Sequence, residues 1–194
     1  MLAFCLLSPV TAQAEDLDNL FSQGRRYDIG AGVPRDGAKA QQFYLAAAQA
    51  NSIPAKNNLA YLWARQNGLL EEALCLSAET LKAQPHSAYY LDTYGLILLR
   101  LDRLDDAQHF FDKALQEFPN YDDALEHSGD IAYRRGNAAA AQELWRHALK
   151  VARNDHQNAH LRAKLAGQPD DLDAHPPFPL DSGGFGKNCA MPTV

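Results

Sequence analysis

The sequence predicts an all-α protein built from repeated helical hairpins, and three observations support this fold class. The chain matches itself at a period of 34 residues. Within each unit the apolar residues recur at the three- and four-residue spacing of a helix face, in two runs separated by a short polar turn. No part of the sequence shows the alternating pattern that predicts a strand.

Length and charge limit the classes of function. A chain of 194 residues can form one domain or a short array of repeats. The net charge of −6 argues against a general affinity for nucleic acid or anionic membranes, because both need clustered lysine and arginine. The sequence has no apolar run of the roughly 18 residues that a transmembrane helix needs.

The pattern of residues 1–14 predicts a signal peptide. Residues 2–7 form a short apolar stretch, and Ala12 and Ala14 have the A-x-A spacing that precedes a cleavage site. Cleavage there would deliver the mature chain to the periplasm or outside the cell. No lysine or arginine precedes Arg25, so either the true start lies upstream or the segment is merely an apolar tail.

Residues 15–52 are predicted to form the first helical hairpin. Gly30 and Gly32 allow the positive φ that its long turn needs. The segment resembles a Sel1-like repeat, which implies two antiparallel helices. The matching residues are Tyr27, Gly30, Gly32, Val33, Asp36, Lys39, Ala40, Phe43, Tyr44, Ala47, Ala48, Asn58 and Leu59.

The 34-residue period is clearest between residues 53 and 155. Small residues align with small residues and aromatic with aromatic, as in the pairs Gly95 and Gly129, Ala107 and Ala141, Phe111 and Trp145, and Ala114 and Ala148. Two antiparallel helices approach to about 8–10 Å only where their crossing lacks bulk. We therefore expect each glycine to mark a helix crossing, with the aromatic ring beside it.

These features resemble the tetratricopeptide repeat: a small residue early in the first helix, Ala-x3-Phe-x2-Ala in the second, and a closing proline. Three units are predicted, at 53–87, 88–121 and 122–155. The first departs from the pattern at Ala60, Ser77 and Thr80 and has one extra residue in its turn, and the third has Arg153 in place of the proline. The two resemblances cover about residues 20–153 and imply a right-handed α-solenoid.

Local signals mark several helix ends. Ser87 and Asn137 are predicted N-caps, because their side chains can accept a hydrogen bond from the first turn. Pro85 and Pro119 cannot continue the helices that precede them.

Past the repeats the sequence predicts a capping helix and then a tail. Residues 156–166 form an amphipathic pattern that suits the cover of a terminal repeat. Residues 167–194 are rich in proline and glycine and are predicted to be disordered. Cys75 in a predicted helix and Cys189 in this tail could pair in an oxidising compartment, but two unpaired thiols are the interpretation we favour.

No pattern of catalytic or metal-binding residues stands out, so we predict a protein that is not an enzyme and uses no cofactor. His156 and His160 have a spacing that can bind a metal, but no third ligand is placed, and a solvated or packed pair is the simpler interpretation. Asp170, Asp171 and Asp173 resemble the start of a calcium loop but lack its glycine and distal glutamate, as a solvated acidic linker would.

The resemblance implies that the first helices of successive repeats line a concave groove that binds a partner. The candidate partner-binding residues are Asn57, Asn58, Tyr61, Arg65, Asp92, Leu96, Arg100, Glu126, Asp130, Tyr133 and Arg134. Tyrosine and arginine are enriched where binding energy concentrates. Relatives that bind a C-terminal carboxylate use lysine and asparagine at such sites. Asp92 and Glu126 favour instead an extended peptide carrying lysine or arginine, or else these are only polar surface residues.

The function we predict is a non-enzymatic protein–protein interaction scaffold, or adaptor, of the bacterial envelope. An alternative is a component that assembles exopolysaccharide or outer-membrane secretion machinery. A hydrolase is a third alternative, because some Sel1-like proteins are associated with β-lactam binding, but those are rich in cysteine and this chain is not. Its oligomeric state stays open.

Overall fold

The computed structural model describes residues 9–152, 155–167 and 178–186, and within them it contains helices and turns but no strand. The helices are α1 (Pro9–Ile29), α2 (Gly37–Gln49), α3 (Ile53–Arg65), α4 (Leu70–Ala83), α5 (Ala88–Arg100), α6 (Leu104–Glu117), α7 (Asp122–Arg134), α8 (Ala138–Val151) and α9 (Asp155–Leu165). Consecutive helices pair as hairpins from α1–α2 to α7–α8, and α9 packs on α8. The predicted all-α solenoid of antiparallel hairpins is confirmed.

Glycines at the helix crossings explain the small residues in the repeat pattern. A Cβ atom on Gly95 of α5 would lie 2.6 Å from the ring of Phe111 on α6, and one on Gly129 of α7 would lie 2.5 Å from the ring of Trp145 on α8. The ring of Phe111 is fully buried. Each aromatic ring thus occupies the space that the absent side chain leaves, as the sequence predicts.

The first two hairpins also have small residues where their helices cross, but of different types. In α1–α2, Gly24 faces the ring of Tyr44 at 2.5 Å from the position of a Cβ atom, although the sequence comparison did not single out Gly24. In α3–α4 the small residues Ala60 and Ser77 are both fully buried. The extra residue before α4 is accommodated by a turn in which Leu69 has a positive φ of 50°.

Side-chain caps begin several helices. Asp36 and Ser52 each accept a hydrogen bond from the backbone N–H three residues on, at 3.0 and 3.4 Å. Asn137 does so at 3.1 Å, as predicted. Ser87 stands at the N-cap of α5, but its side chain makes no capping hydrogen bond, so this predicted contact is absent.

The first hairpin begins inside the predicted signal peptide. α1 starts at Pro9 and continues as one helix past Ala14, while residues 1–8 lie outside the described part of the chain. Gly30 and Gly32 in the following turn have the expected positive φ, at 75° and 72°. The leader, its cleavage and the Sel1-like character of this hairpin stay predictions.

Residues 178–186, which we call the C-terminal strap, pack on the N-terminal hairpins instead of lying free. The side chains of Phe178, Leu180 and Phe185 contact the main hydrophobic core. Gln41 of α2 binds the strap backbone, accepting a hydrogen bond from Asp181 N at 3.1 Å and donating one to Pro179 O at 3.1 Å. The predicted disorder of 167–194 therefore does not describe this segment, because its three apolar side chains find a buried surface.

Cys75 also differs from the sequence-based interpretation. This residue of α4 is only 6% exposed and is part of a disulfide, whereas an unpaired thiol was favoured. Cys189 lies outside the described residues. The predicted capping helix is present as α9, which packs on α8 through residues such as the fully buried Leu161.

Candidate partner-binding groove

The first helices of the hairpins supply most of the lining of a groove. It consists of two neighbouring cavities of about 520 and 510 Å³. Both cavities are lined by Arg25, Asp28 and Ile29 of α1, by Tyr61 of α3 and by Asp123 of α7. The groove therefore runs from the first hairpin across α3 to α7.

One end of the groove is lined by aromatic rings, and we call it the tyrosine end. It is lined by Phe21, Tyr44, Tyr61, Tyr89, Tyr90 and Tyr121. The rings of Tyr89 and Tyr121 meet edge to face with their centroids 5.1 Å apart. Tyr89 remains 59% exposed. Such rings offer a flat apolar surface with a hydroxyl at its edge, which suits the side chains of a bound peptide.

Asn57 contributes an unpaired hydrogen-bond acceptor to the tyrosine end. This residue of α3 is 6% exposed, and its Oδ1 atom is buried with no hydrogen-bond partner among the described residues. A buried polar atom without a partner is costly, by about 1–3 kcal/mol. Its neighbour Asn58 is satisfied, since its Nδ2 donates to the hydroxyl of Tyr44 at 3.1 Å.

Asp28 connects α1, which lines one side of the groove, to the neighbouring helices through polar contacts. Its carboxylate accepts a hydrogen bond from the Tyr44 hydroxyl at 3.2 Å and lies 4.0 Å from the guanidinium of Arg65. Its carbonyl oxygen accepts a hydrogen bond from Arg35 at 2.8 Å. Burial, followed by the charge of Asp28, raises the pKa of Tyr44 far above its ordinary value, so this hydroxyl stays a donor.

Asp92 is closed off from the groove by a histidine of the next repeat. Its side chain is 1% exposed, and its Oδ1 lies 2.9 Å from Nδ1 of His127. Burial alone would lower the pKa of His127, but the Asp92 carboxylate outweighs it and raises the pKa to about 9. His127 is therefore an imidazolium at neutral pH, and the pair is a buried ion pair.

A second set of carboxylates is paired with side chains of α9. Lys164 lies 2.8 Å from Glu126 and 2.7 Å from Asp130, and Nδ1 of His160 lies 2.8 Å from Glu126. Trp145 adds a hydrogen bond to Asp130 at 3.0 Å. Burial by itself would raise the pKa of Glu126, but Lys164 and His160 together hold it well below its ordinary value.

This pairing removes the argument for a basic peptide. The prediction of lysine or arginine in the ligand rests on Asp92 and Glu126 as acidic centres of the groove. Both carboxylates are instead buried and paired within the protein. A ligand cation would have to displace His127 or Lys164 to reach them.

The predicted groove residues divide into two sets. Eight line the groove or the small adjoining cavity, namely Asn57, Asn58, Tyr61, Arg65, Leu96, Arg100, Glu126 and Asp130. Three do not line these cavities. Asp92 is buried, Tyr133 is 61% exposed with its ring 5.7 Å from that of Trp145, and Arg134 donates a hydrogen bond to Leu99 O at 3.1 Å.

The sequence analysis did not identify the groove residues of α1, or a set of groove residues that recurs at the same position of successive repeats. Arg25 and Asp28 were overlooked because groove positions were assigned only in the three later units. Tyr89 and Asp123 lie 34 residues apart, and Gln157 follows 34 residues later and donates to Asp123 at 2.7 Å. The repeat spacing itself would have found this set.

The described residues contain neither a cluster of metal ligands nor a helix that could span a membrane. No three His, Cys, Asp or Glu side chains in that part of the chain cluster as metal ligands would. His160 contacts Glu126, and the side chain of His156 lies outside the description. None of the helices described is both long and apolar enough to cross a membrane.

Comparison with known proteins supports the repeat assignment. Residues 98–165 match the family model described as tetratricopeptide repeat. A search of characterised protein sequences gives no significant match.

Solved structures with tetratricopeptide repeats share this fold. A thermophilic tetratricopeptide-repeat protein from Thermus thermophilus superposes with a TM-score of 0.61 at 18% identity, covering 81% of this chain and 84% of that one. PilF from Pseudomonas aeruginosa gives 0.59 at 21%, covering 80% and 70%. A tetratricopeptide-repeat protein from Parabacteroides merdae gives 0.50 at 19%, covering 79% of this chain but only 61% of that protein.

Proposed function

We propose that this chain, which has the fold of tetratricopeptide-repeat proteins, is a non-enzymatic scaffold that binds an extended segment of a partner protein in its groove. The fold supports the general role, since solenoids of this kind present extended concave binding surfaces. The tyrosine end supports the location of the binding site on this molecule.

The observation that carries the proposal is the unpaired Oδ1 of Asn57 beside a wall of tyrosines. A backbone N–H of a bound peptide would satisfy that oxygen, and an apolar side chain of the same peptide would pack between Tyr61 and Tyr89. We therefore propose a peptide that is chosen by an apolar or aromatic side chain, rather than by a lysine or arginine.

Selection from a library of random peptides on the purified chain, followed by calorimetric titration of a selected peptide, tests the proposal. Tyr61→Ala and Asn57→Ala should each weaken the affinity at least about tenfold, which corresponds to roughly 1.4 kcal/mol. Tyr133→Ala is the matched control, because this tyrosine is exposed but does not line the groove. Its affinity should stay within about twofold of the wild type.

Two outcomes would contradict the groove as the binding site. One is a peptide whose affinity falls as much in Tyr133→Ala as in Tyr61→Ala. The other is a selected peptide that is unaffected by both groove substitutions while the variants keep their helical circular dichroism.

We also propose the bacterial envelope as the place of action. The leader pattern of residues 1–14 supports export, and the disulfide of Cys75 suits an oxidising compartment. Alkaline phosphatase fused to the C-terminus, in cells carrying the complete gene, should be active only if the chain is exported. An inactive fusion of full length would place the protein inside the cell. If the partner protein belongs to a secretion or polysaccharide assembly machine, the scaffold is a component of that machine.

A further inference from the structure

The course of the C-terminal strap brings the end of the chain to α4. The strap follows α2 first, where Gln41 binds its backbone on both sides of Leu180. It then crosses to α4, and a Cβ atom on Gly186 would lie 3.2 Å from the Cα and 2.6 Å from the Cγ of Glu72. The backbone of the strap is therefore in direct contact with the first turn of α4.

Glu72 and Cys75 are neighbours on one face of α4. Residues three apart in a helix lie on the same side and are separated by a rise of about 4.5 Å. Cys189 is three residues beyond Gly186, and three extended residues span at most about 10–11 Å. The chain beyond Gly186 is therefore long enough to bring a side chain to Cys75.

We propose that Cys189 is the disulfide partner of Cys75, and that this bond fastens the strap across α2 and α4. The chain has three cysteines, Cys5, Cys75 and Cys189, and Cys75 is disulfide-bonded. Cys5 precedes α1, which packs on α2, whereas the strap lies against α4 beside Cys75. Strap docking raises the local concentration of one thiol near the other, and the disulfide in turn keeps the strap docked.

The bond forms by exchange with an external disulfide such as oxidised glutathione. The thiolate of Cys189 attacks one sulfur of glutathione disulfide, and one glutathione leaves as a thiolate. The thiolate of Cys75 then attacks the mixed disulfide at the sulfur of Cys189 and releases the second glutathione. The two protein thiols lose two protons and two electrons, and the glutathione disulfide gains the two electrons.

Peptide mapping of the full chain without reduction tests the pairing directly. The purified protein is equilibrated with oxidised glutathione, its free thiols are blocked with N-ethylmaleimide, and it is digested with trypsin. We expect the peptide of residues 66–82, which contains Cys75, to be joined to the peptide of residues 188–194. A link from 66–82 to the N-terminal peptide of residues 1–25, or a blocked thiol at Cys75, would overturn the proposal.

Hydrogen exchange measures whether the bond holds the strap. In Cys189→Ser the backbone amides of residues 178–186 should exchange at least about tenfold faster than in the wild type, because the docked state loses its covalent closure. Cys5→Ser is the matched control and should leave those rates unchanged. Equal protection of the strap in both variants would show that the strap docks without the disulfide and would reject the fastening role.

This inference is independent of the groove. The strap lies on α2 and α4, while the tyrosine end of the groove is formed mainly by α1, α3 and α5. Cys189→Ser should therefore leave the affinity for the selected peptide within about twofold of the wild type, well under 1 kcal/mol. A peptide that binds normally to this variant, together with a failed disulfide map, would reject the disulfide and retain the scaffold.

Discussion

The N-terminal and C-terminal halves of the groove differ at one equivalent position of the first helix of each repeat: the polar side chain is unpaired among the described residues in the first half and paired within the protein in the second. Asn57, Asp92 and Glu126 occupy matching positions in successive repeats. Asp92 is paired with His127 of the following repeat, and Glu126 is paired with Lys164 of the capping helix. The Oδ1 of Asn57 has no partner among the described residues. The C-terminal half is therefore cross-linked within the protein, and the N-terminal half keeps a contact available for a ligand.

The residue one repeat further along decides between these outcomes. His127 reaches back to Asp92 across the interface of α5 and α7. The residue that corresponds to His127 beside Asn57 is Thr93, and its hydroxyl donates to Tyr89 O within its own helix at 3.0 Å. A threonine that is satisfied locally leaves its neighbour free for a partner protein.

The largest expected effect is in the cross-linked half. Lys164→Met removes the cation that Asp130 and Glu126 share, leaving Asp130 buried without it and Glu126 with His160 alone, and we expect it to lower the free energy of unfolding by about 3–5 kcal/mol. Urea denaturation followed by circular dichroism measures the loss. Lys150→Met is the control, because this lysine of α8 is exposed, and it should change stability by under about 0.5 kcal/mol. A loss of unfolding free energy below about 1 kcal/mol in Lys164→Met would mean that these ion pairs do not stabilise the C-terminal half of the groove.

The next largest effect is a dependence of the unfolding free energy on pH, which the ion pair of His127 and Asp92 gives to the C-terminal half of the groove. Asp92 raises the pKa of His127 to about 9 in the folded protein, above its ordinary value of about 6.5 when unfolded. The stabilisation is therefore complete below about pH 6.5 and is lost as the pH rises through about 9, by roughly 3 kcal/mol in total. The groups facing His127 that carry this effect are the carboxylates of Asp92, Glu126 and Asp130.

The difference in unfolding free energy between the wild type and His127→Gln, measured from pH 6 to pH 10, isolates this contribution. The difference should favour the wild type at pH 6 and shrink toward pH 10. Asp123 adds a dependence of the same sign in both proteins, because burial and then Asp92 raise its pKa. This dependence is larger in His127→Gln, because the charge of His127 lowers the pKa of Asp123 in the wild type. A difference that is constant across the range would show that His127 is neutral in the fold.

The smallest stability effect should come from Asn57 in the open half. Asn57→Ala removes a buried oxygen that has no partner within the described structure, which stabilises the fold, but it also removes buried side-chain contacts, which destabilises it. We expect the two effects to offset each other, so that the free energy of unfolding changes by less than about 1 kcal/mol. The same variant should nevertheless lose peptide affinity, as proposed above. A destabilisation above about 1 kcal/mol would mean that Asn57 serves the fold rather than a ligand.

The repeat spacing was sufficient to predict the helices and their crossings. Gly95 and Phe111 had to face each other because a small residue and a ring recur together at the helix periodicity of both segments. The first hairpin was predicted instead from its resemblance to a Sel1-like repeat, and the capping helix from an amphipathic pattern. The spacing also placed Asn57 and Tyr61 on the first helix that lines the groove, since each repeat presents the same face.

The accessibility of the charges could not be predicted from that spacing. Asp92 and Glu126 looked like acidic centres because a single repeat shows no partner for them. Their partners, His127 and Lys164, lie 35 and 38 residues away in sequence, and only the packing of α7 on α5 and of α9 on α7 brings them together. The groove wall from α1 depended in the same way on how the first hairpin meets α3.

The sequence by itself thus determined the hairpins, their order and the glycine–aromatic crossings, because these depend on local periodicity and on pairs within one repeat. The tertiary structure alone decided which carboxylates are neutralised and that Phe178, Leu180 and Phe185 of a proline- and glycine-rich tail pack half-buried against the core. Those outcomes depend on surfaces formed by distant parts of the chain. Their free energy comes from contacts between repeats, which no local pattern records.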